Sequence, residues 1–558
     1  MKYNILVGGA AGQGVDTLSS LLEKLLKRKG YFVHSNKDYM SRVRGGHNFT
    51  QIRFGTERVY SHWPILDILL ALDEQTVKYH EKRLGKGGII LCDEAGGLRD
   101  ERAVSIPISK IAREVRNNKA AGSAAAGAVI GLLGESIDIA EKLFYERFDS
   151  DVAVSNYEAF KKGYETVGKR FDISSPGLDD SILINGNEAI ALGALAGGLG
   201  FFASYPMTPA TSIMKQLSIR QKAAGIVVEQ VEDELSAINM ALGAAYAGVR
   251  SMTATSGGGF ALMTEGLSLQ GAMELPLVVV NSQRPGPSTG IATRTEQSDL
   301  SFVLSAGHGE FPRMVLAVKN PQDAFYQTVR ALNIAEKYQV LVIMLTDQYL
   351  ADAADTISPF DFGSISVTKS VIESKEIDDR SYKRYRMTEC GVSPRIIPGS
   401  LENALSMADS HEHDEYGHIT ESAEMRSAMM DKRMRKLEGL KSEIQEPDFF
   451  GCEQPELLLT GWGSMYGPLR EAVELLQKDG IAAGALVFGD LLPFPGNLLA
   501  RYSSVAKKTV NVEQNFTGQL SRLIRQETGI SMDCSILSYD GRQMCASTIY
   551  ERVRKEVL

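Results

Sequence analysis

The chain has 558 residues and little of what marks several large classes of protein. Its five cysteines, Cys92, Cys390, Cys452, Cys534 and Cys545, lie far apart and form no CxxC pair. That spacing excludes a disulfide framework and offers no clustered thiolates for an iron-sulfur or zinc site. A reducing cytoplasm is the compartment it suits. No apolar run approaches the roughly 20 residues needed to cross a bilayer. The amino terminus, Met1-Lys2-Tyr3-Asn4-Ile5-Leu6-Val7, runs into glycines without the charged head and apolar stretch of a signal peptide. Neither membrane insertion nor export is expected. The formal net charge of -9 comes with no concentrated basic patch, which argues against a nucleic-acid partner. Internal repeats and low-complexity tracts are missing as well.

What is there is ordinary globular composition, 44% hydrophobic and 23% charged, in a chain too long for one core. At about 150 residues per domain the length predicts three or four domains. Alternating strand and helix patterns predict three α/β domains and a connector. The first, 1–178, opens with a strand at Tyr3 to Val7, a glycine turn at Gly8 to Gly14, and a helix with apolar positions Leu18, Leu21, Leu22, Leu25 and Leu26. Strands are expected at Ile68 to Leu72 and Gly88 to Cys92, and a break at Ser174-Ser175-Pro176-Gly177 leads into a solvated link at Asp179-Asp180. The second domain, 179–356, starts with Ile182-Leu183-Ile184-Asn185-Gly186. Its later strands fall at Arg250 to Thr255, Leu277 to Asn281 and Val340 to Thr346. These predict a mostly parallel sheet with active residues in loops at the carboxyl ends of strands. Residues 357–452 read as a connector with one long helix. The third domain, 453–558, has a strand at Leu457 to Thr460, a helix at Pro468 to Lys478 and a strand at Ala483 to Phe488.

Several segments carry candidate chemistry. In Gly9-Ala10-Ala11-Gly12-Gln13-Gly14, Ala11 stands where a dinucleotide turn wants glycine, and Tyr31-Phe32-Val33-His34-Ser35 offers no ribose-binding acid. A nicotinamide site is therefore disfavoured; a phosphate-holding turn and a plain structural turn both remain open. Tyr205-Pro206-Met207-Thr208-Pro209 is a stiff loop, because two prolines fix φ on either side of Thr208 and give its hydroxyl a defined direction. Glu232-Asp233-Glu234 precedes a helix too apolar for a surface element. Acids in a first turn ordinarily just favour the helix dipole. If Glu234 is the inward one, it can exchange a proton with the ring nitrogen of an aminopyrimidine in a poorly hydrated setting. Arg284 precedes Pro285-Gly286-Pro287-Ser288-Thr289-Gly290, and its fork suits a carboxylate, with hydroxyls of Ser288, Thr289 and Thr293 completing the shell. An exposed salt bridge is the plain alternative. His411, His413 and His418 lie among acids, but their spacing matches no ligand pattern, and a polar connector explains them equally well.

Taken in order, these motifs resemble the 2-oxoacid:ferredoxin oxidoreductases, specifically an alpha chain with a gamma domain fused at its amino end. The likeness covers nearly the whole chain. It runs through Arg42-Val43-Arg44-Gly45-Gly46-His47, Tyr205 to Thr211, Glu232-Asp233-Glu234, Thr255-Ser256-Gly257 and Gln283 to Gly290. It continues through Asp414-Glu415-Tyr416-Gly417-His418, Leu492-Pro493-Phe494-Pro495 and Val512-Glu513-Gln514-Asn515. The resemblance implies a gamma-type domain, a thiamin pyrimidine-binding domain and a transketolase C-terminal-like domain. By position, Glu234 matches the glutamate on the aminopyrimidine, with Tyr205, Pro206 and Met207 beside the cofactor. Thr208, Arg284, Thr289 and Thr293 match groups around the substrate, although Met207 stands where the family often has isoleucine.

The Gly-Asp-Gly segment and later asparagine pair that hold thiamin diphosphate through Mg²⁺ do not occur in this chain. The resemblance thus implies a beta subunit that carries the diphosphate site, Mg²⁺ and an iron-sulfur cluster. It also implies ferredoxin as electron acceptor, coenzyme A as co-substrate and an (αβ)2 heterotetramer. The Gln283 to Gly290 loop looks most like the 2-oxoglutarate branch. Pyruvate, branched-chain and aryl 2-oxo acids are alternatives, as are a nicotinamide-dependent dehydrogenase and a non-catalytic assembly subunit.

Overall fold

The structure, a computed structural model, describes residues 1–40, 46–177, 180–372 and 379–558. Of the Arg42 to His47 segment only Gly46 and His47 fall among them, and Asp179 of the expected link lies outside them. The chain divides into two compact units, one of residues 1–184, 352–359 and 545–547, the other of residues 185–351, 360–544 and 548–558. None of the described helices is long and apolar enough to cross a membrane.

The first unit is built on one eight-stranded mixed sheet, in the order Ala103–Ile106, Leu84–Asp93, Leu66–Ala71, Lys2–Ala10, His47–Gly55, Phe32–Asp38, Ala354–Ile357, Ile182–Asn185. Helix Val15–Arg28 packs onto it through the apolar stripe that its sequence showed, with Leu18, Leu21, Leu22, Leu25 and Leu26 all buried. Phe32–Asp38 does not lie beside Lys2–Ala10, because the antiparallel strand His47–Gly55 separates them. The opening strand, turn and helix are therefore not a dinucleotide-binding βαβ unit, which would set two parallel strands side by side. The turn is closed locally instead: Gln13 Oε1 accepts from the Ala10 amide at 2.7 Å. The strand Ile182–Asn185, expected to open the second domain, instead forms the edge of this sheet. Its short apolar run has no periodicity that would choose one sheet over another.

The second unit holds two sheets. Six strands of the larger run parallel, in the order Arg313–Ala317, Leu341–Asp347, Leu277–Gln283, Ser251–Thr255, Phe201–Ser204, Val227–Gln230, and the short strand Asp490–Leu492 adds antiparallel at one edge. The register sets Thr255 beside Asn281 and Gln283 beside Asp347, so the strands end together at one carboxyl edge. The five-stranded sheet has the order Asp448–Gly451, Ala483–Phe488, Leu457–Trp462, Lys508–Glu513, Cys534–Leu537. One hydrophobic core serves both sheets: Val279, Leu341 and Ile343 of the first share it with Trp462, Leu486 and Phe488 of the second. Residues 360–452 include the helix Ala423–Ser442. The three histidines of that stretch have separate surroundings. His413 is fully buried with its ring 3.9 Å from that of Tyr385, while exposed His411 pairs with Asp409 and exposed His418 with Asp414.

Candidate active site

Three loops leave the carboxyl edge of the larger sheet and bring the candidate residues together. The first follows strand Phe201–Ser204, whose Ser204 hydroxyl donates to the Tyr205 and Ala254 carbonyls and ties the loop root to the neighbouring strand. Asn187, fully buried, donates to the Pro209 carbonyl at 2.9 Å and fixes the far end. Between these anchors Tyr205, Pro206, Met207 and Thr208 are half-buried.

The three acids separate by position. Asp233 is the N-cap of helix Glu234–Tyr246, its carboxylate accepting from the Ser236 amide at 2.7 Å. Glu232 faces out, and Glu234 is only 3% exposed. Glu234 Oε1 accepts from the Thr255 hydroxyl at 3.3 Å, and Oε2 has no hydrogen-bond partner among the described residues. A Cβ on Gly259 would lie 2.2 Å from Glu234 Oε1. The missing side chain of Gly259 is thus the space that the carboxylate occupies.

Arg284 follows strand Leu277–Gln283 directly and is 9% exposed. One guanidinium nitrogen, Nη1, donates to the Thr208 carbonyl at 2.8 Å, which joins this loop to the first. No other donor of the fork is engaged by the described residues. Burial draws the Arg284 pKa below its ordinary value, and the Glu234 carboxylate opposes that shift, so the two charges act on one another across the site. Beyond Arg284 the chain turns at Ser288, whose φ is +57°. Ser288 and Thr289 are exposed and have no side-chain hydrogen bond among the described residues, whereas Thr293 is buried beside Arg294. The structure therefore brings Thr208, Glu234 and Arg284 together and leaves Ser288 and Thr289 on the open side of the loop.

Residues without an assigned role in the sequence reading shape this loop and its surroundings. The Gln297 amide donates to the Gln514 carbonyl at 2.7 Å, and Asn515 Nδ2 donates to the Gln297 carbonyl at 3.0 Å. Glu513, fully buried, sets that clamp by accepting from the Leu520 amide and from the side chains of Asn511 and Asn515. Asp347 is buried at the next strand end, where burial raises its pKa; it accepts from the Leu350 amide at 2.9 Å and from the Ser464 hydroxyl. Thr255 entered the sequence reading only as part of the Thr255-Ser256-Gly257 motif and Gly259 not at all, though three glycines opening a helix at 257–259 mark a close approach of backbone to something.

The ring end of thiamin diphosphate fits this arrangement: a buried carboxylate with one free oxygen, set where a glycine leaves room. Comparison with known proteins agrees. Residues 192–432 match the family described as pyruvate flavodoxin/ferredoxin oxidoreductase, thiamine diphosphate-binding. Residues 4–166 match pyruvate ferredoxin/flavodoxin oxidoreductase, and 455–547 match pyruvate:ferredoxin oxidoreductase core domain II. The 2-oxoacid:ferredoxin oxidoreductase subunit alpha of Sulfolobus sp is 33% identical, over 100% of this chain and 97% of that protein. The 2-oxoglutarate oxidoreductase subunit KorA of Mycobacterium tuberculosis is 30% identical over 82% of this chain and 76% of its own length. A solved 2-oxoglutarate:ferredoxin oxidoreductase from Magnetococcus marinus, with 2-oxoglutarate, coenzyme A and succinyl-CoA bound, covers 100% of both chains at 32% identity and a TM-score of 0.92. The chain, with its three α/β domains and its thiamin diphosphate-binding domain, belongs to the family of 2-oxoacid:ferredoxin oxidoreductase alpha subunits.

Proposed function

We propose that the chain is the alpha subunit, with a gamma-type domain at its amino end, of an enzyme that oxidatively decarboxylates 2-oxoglutarate to an acyl-CoA and carbon dioxide. The observation that carries this reading is buried Glu234 with one carboxylate oxygen unengaged among the described residues, within electrostatic reach of Arg284, whose guanidinium is tied to the Thr208 loop. Thiamin diphosphate, when bound, supplies a nucleophilic carbon and takes up the electron pair left when carbon dioxide departs. Glu234 exchanges a proton with its ring nitrogen through the free Oε2, and Tyr205, Pro206 and Met207 line the ring. The unengaged donors of Arg284 bind the 2-oxo acid carboxylate as a fork, and the Thr208 hydroxyl faces the keto oxygen. Ser288, Thr289 and Thr293 belong to the loop that surrounds the substrate. A beta subunit holds the diphosphate, Mg²⁺ and an iron-sulfur cluster, passes electrons singly to ferredoxin and completes an (αβ)2 assembly in the cytoplasm. The choice of 2-oxoglutarate is supported by the Gln283 to Gly290 loop and by the ligands in the Magnetococcus marinus structure.

The test is co-purification with the beta chain and a screen of 2-oxo acids with coenzyme A and a viologen dye. Glu234→Gln should lower turnover by about 10²–10⁴-fold while the complex stays assembled; turnover near the parent's would remove Glu234 from the mechanism. Faster turnover of pyruvate than of 2-oxoglutarate would overturn the substrate and leave the reaction class standing.

A further inference from the structure

We infer that Thr255 is a positioning residue for Glu234, and that residue 259 is glycine because these two side chains fill the space its Cβ would take. The inference rests on the reading of Glu234 given above. A glutamate carboxyl turns about its last torsion with little preference, since an sp³–sp² bond has a broad, roughly two-fold profile. Burial alone therefore does not decide which oxygen meets a ligand. Thr255 decides it here. It is the last residue of strand Ser251–Thr255, is fully buried, and donates its only hydroxyl proton to Glu234 Oε1 at 3.3 Å. With Oε1 engaged, Oε2 is the oxygen left to exchange a proton.

Gly259 enforces the same arrangement from the other side. A Cβ there would stand 2.1 Å from Thr255 Oγ1 and 2.2 Å from Glu234 Oε1, closer than carbon and oxygen can approach. Even alanine at 259 would push apart the two groups that the hydrogen bond joins. The strand end, the glycine and the acid thus form one unit that presents a single oxygen.

The experiment uses the assembled complex with its beta chain and compares Thr255→Val, Thr255→Ser, Glu234→Gln and the Thr255→Val/Glu234→Gln double variant. Two quantities are read: the rate at which the C2 proton of bound thiamin diphosphate exchanges with deuterium, by quench and NMR, and the Kd for thiamin diphosphate. Thr255→Val, which keeps the shape and removes the donor, should slow exchange roughly 3- to 10-fold with Kd unchanged. Thr255→Ser, which keeps the hydroxyl, should exchange at the parent rate. The double variant should be no slower than Glu234→Gln alone. If Glu234→Gln abolishes exchange but Thr255→Val leaves it at the parent rate, the role of Thr255 is wrong and that of Glu234 stands. A Thr255→Ser variant as slow as Thr255→Val also overturns it, because packing rather than the hydroxyl would then be at work. Parent-like exchange in Glu234→Gln removes both readings together.

Discussion

Arg284 commits one nitrogen to the Thr208 carbonyl and keeps the rest of its fork for a ligand, which is a geometry that only a guanidinium provides. A lysine at 284 could keep the charge, or the contact with Thr208, but not a two-point grip on a carboxylate. Arg284→Lys in the assembled enzyme is therefore expected to raise the KM for the 2-oxo acid by roughly 10- to 100-fold, with thermal stability unchanged. A KM equal to the parent's, measured by the viologen assay, would show that the fork does not hold the substrate. At this scale the sequence revealed residue types but not directions. Glu232, Asp233 and Glu234 are equivalent as text. The helix phase makes the second a cap and buries the third.

The helix Ala423–Ser442 buries charge on the side it packs, with Lys432, Arg433 and Lys436 all buried. Lys432 and Lys436 are both buried, and both ammoniums meet the Glu274 carboxylate, Lys432 at 2.7 and 2.9 Å and Lys436 at 2.6 Å. Burial by itself would raise the Glu274 pKa, but the two ammoniums together hold it well below the usual carboxylate range. One carboxylate serves two cations, so burial and the neighbouring Lys432 bring Lys436 down to about 8. Glu274→Gln should destabilise the protein by about 3–5 kcal/mol, because it strands two buried ammoniums; unfolding in urea measures this. The pH dependence has a definite sign. Between about 8 and the ordinary 10.5, the unfolded chain binds more protons at Lys436 than the folded one, so this group adds stability as pH rises through that window. Lys436→Met should remove that rise, and thermal melts of both proteins across the window would reveal an unchanged slope if the assignment is wrong.

Each of the two compact units has its own hydrophobic core, one formed around Val7, Leu22, Val129 and Phe160, the other around Ala237, Val279, Trp462 and Phe488. In the first, helices Ala121–Leu133 and Ser150–Glu165 touch backbone to backbone, since a Cβ on Gly163 would lie 1.9 Å from the Ala124 carbonyl oxygen. Gly163→Ala must push these helices apart, at a cost of about 1–3 kcal/mol or more. Calorimetry should show one transition lowered and another unmoved; an equal shift of all the heat absorption would mean that the cores do not melt separately.

Local pattern determined much of this molecule. Ala483–Phe488 forms over the residues its apolar run marks, and helix Val15–Arg28 buries the leucines that its period aligns, because both signals act within a few residues along the chain. That a loop at Tyr205 to Pro209 and an arginine after Leu277–Gln283 stand at strand ends was legible for the same reason. Tertiary structure alone decided the rest. It assigned Ile182–Asn185 and Ala354–Ile357 to the first sheet, merged the cores of two sheets, and set Thr255 and Gly259 around Glu234. Those outcomes depend on contacts between residues far apart in sequence, where strand pairing and close packing, not local preference, set the free energy.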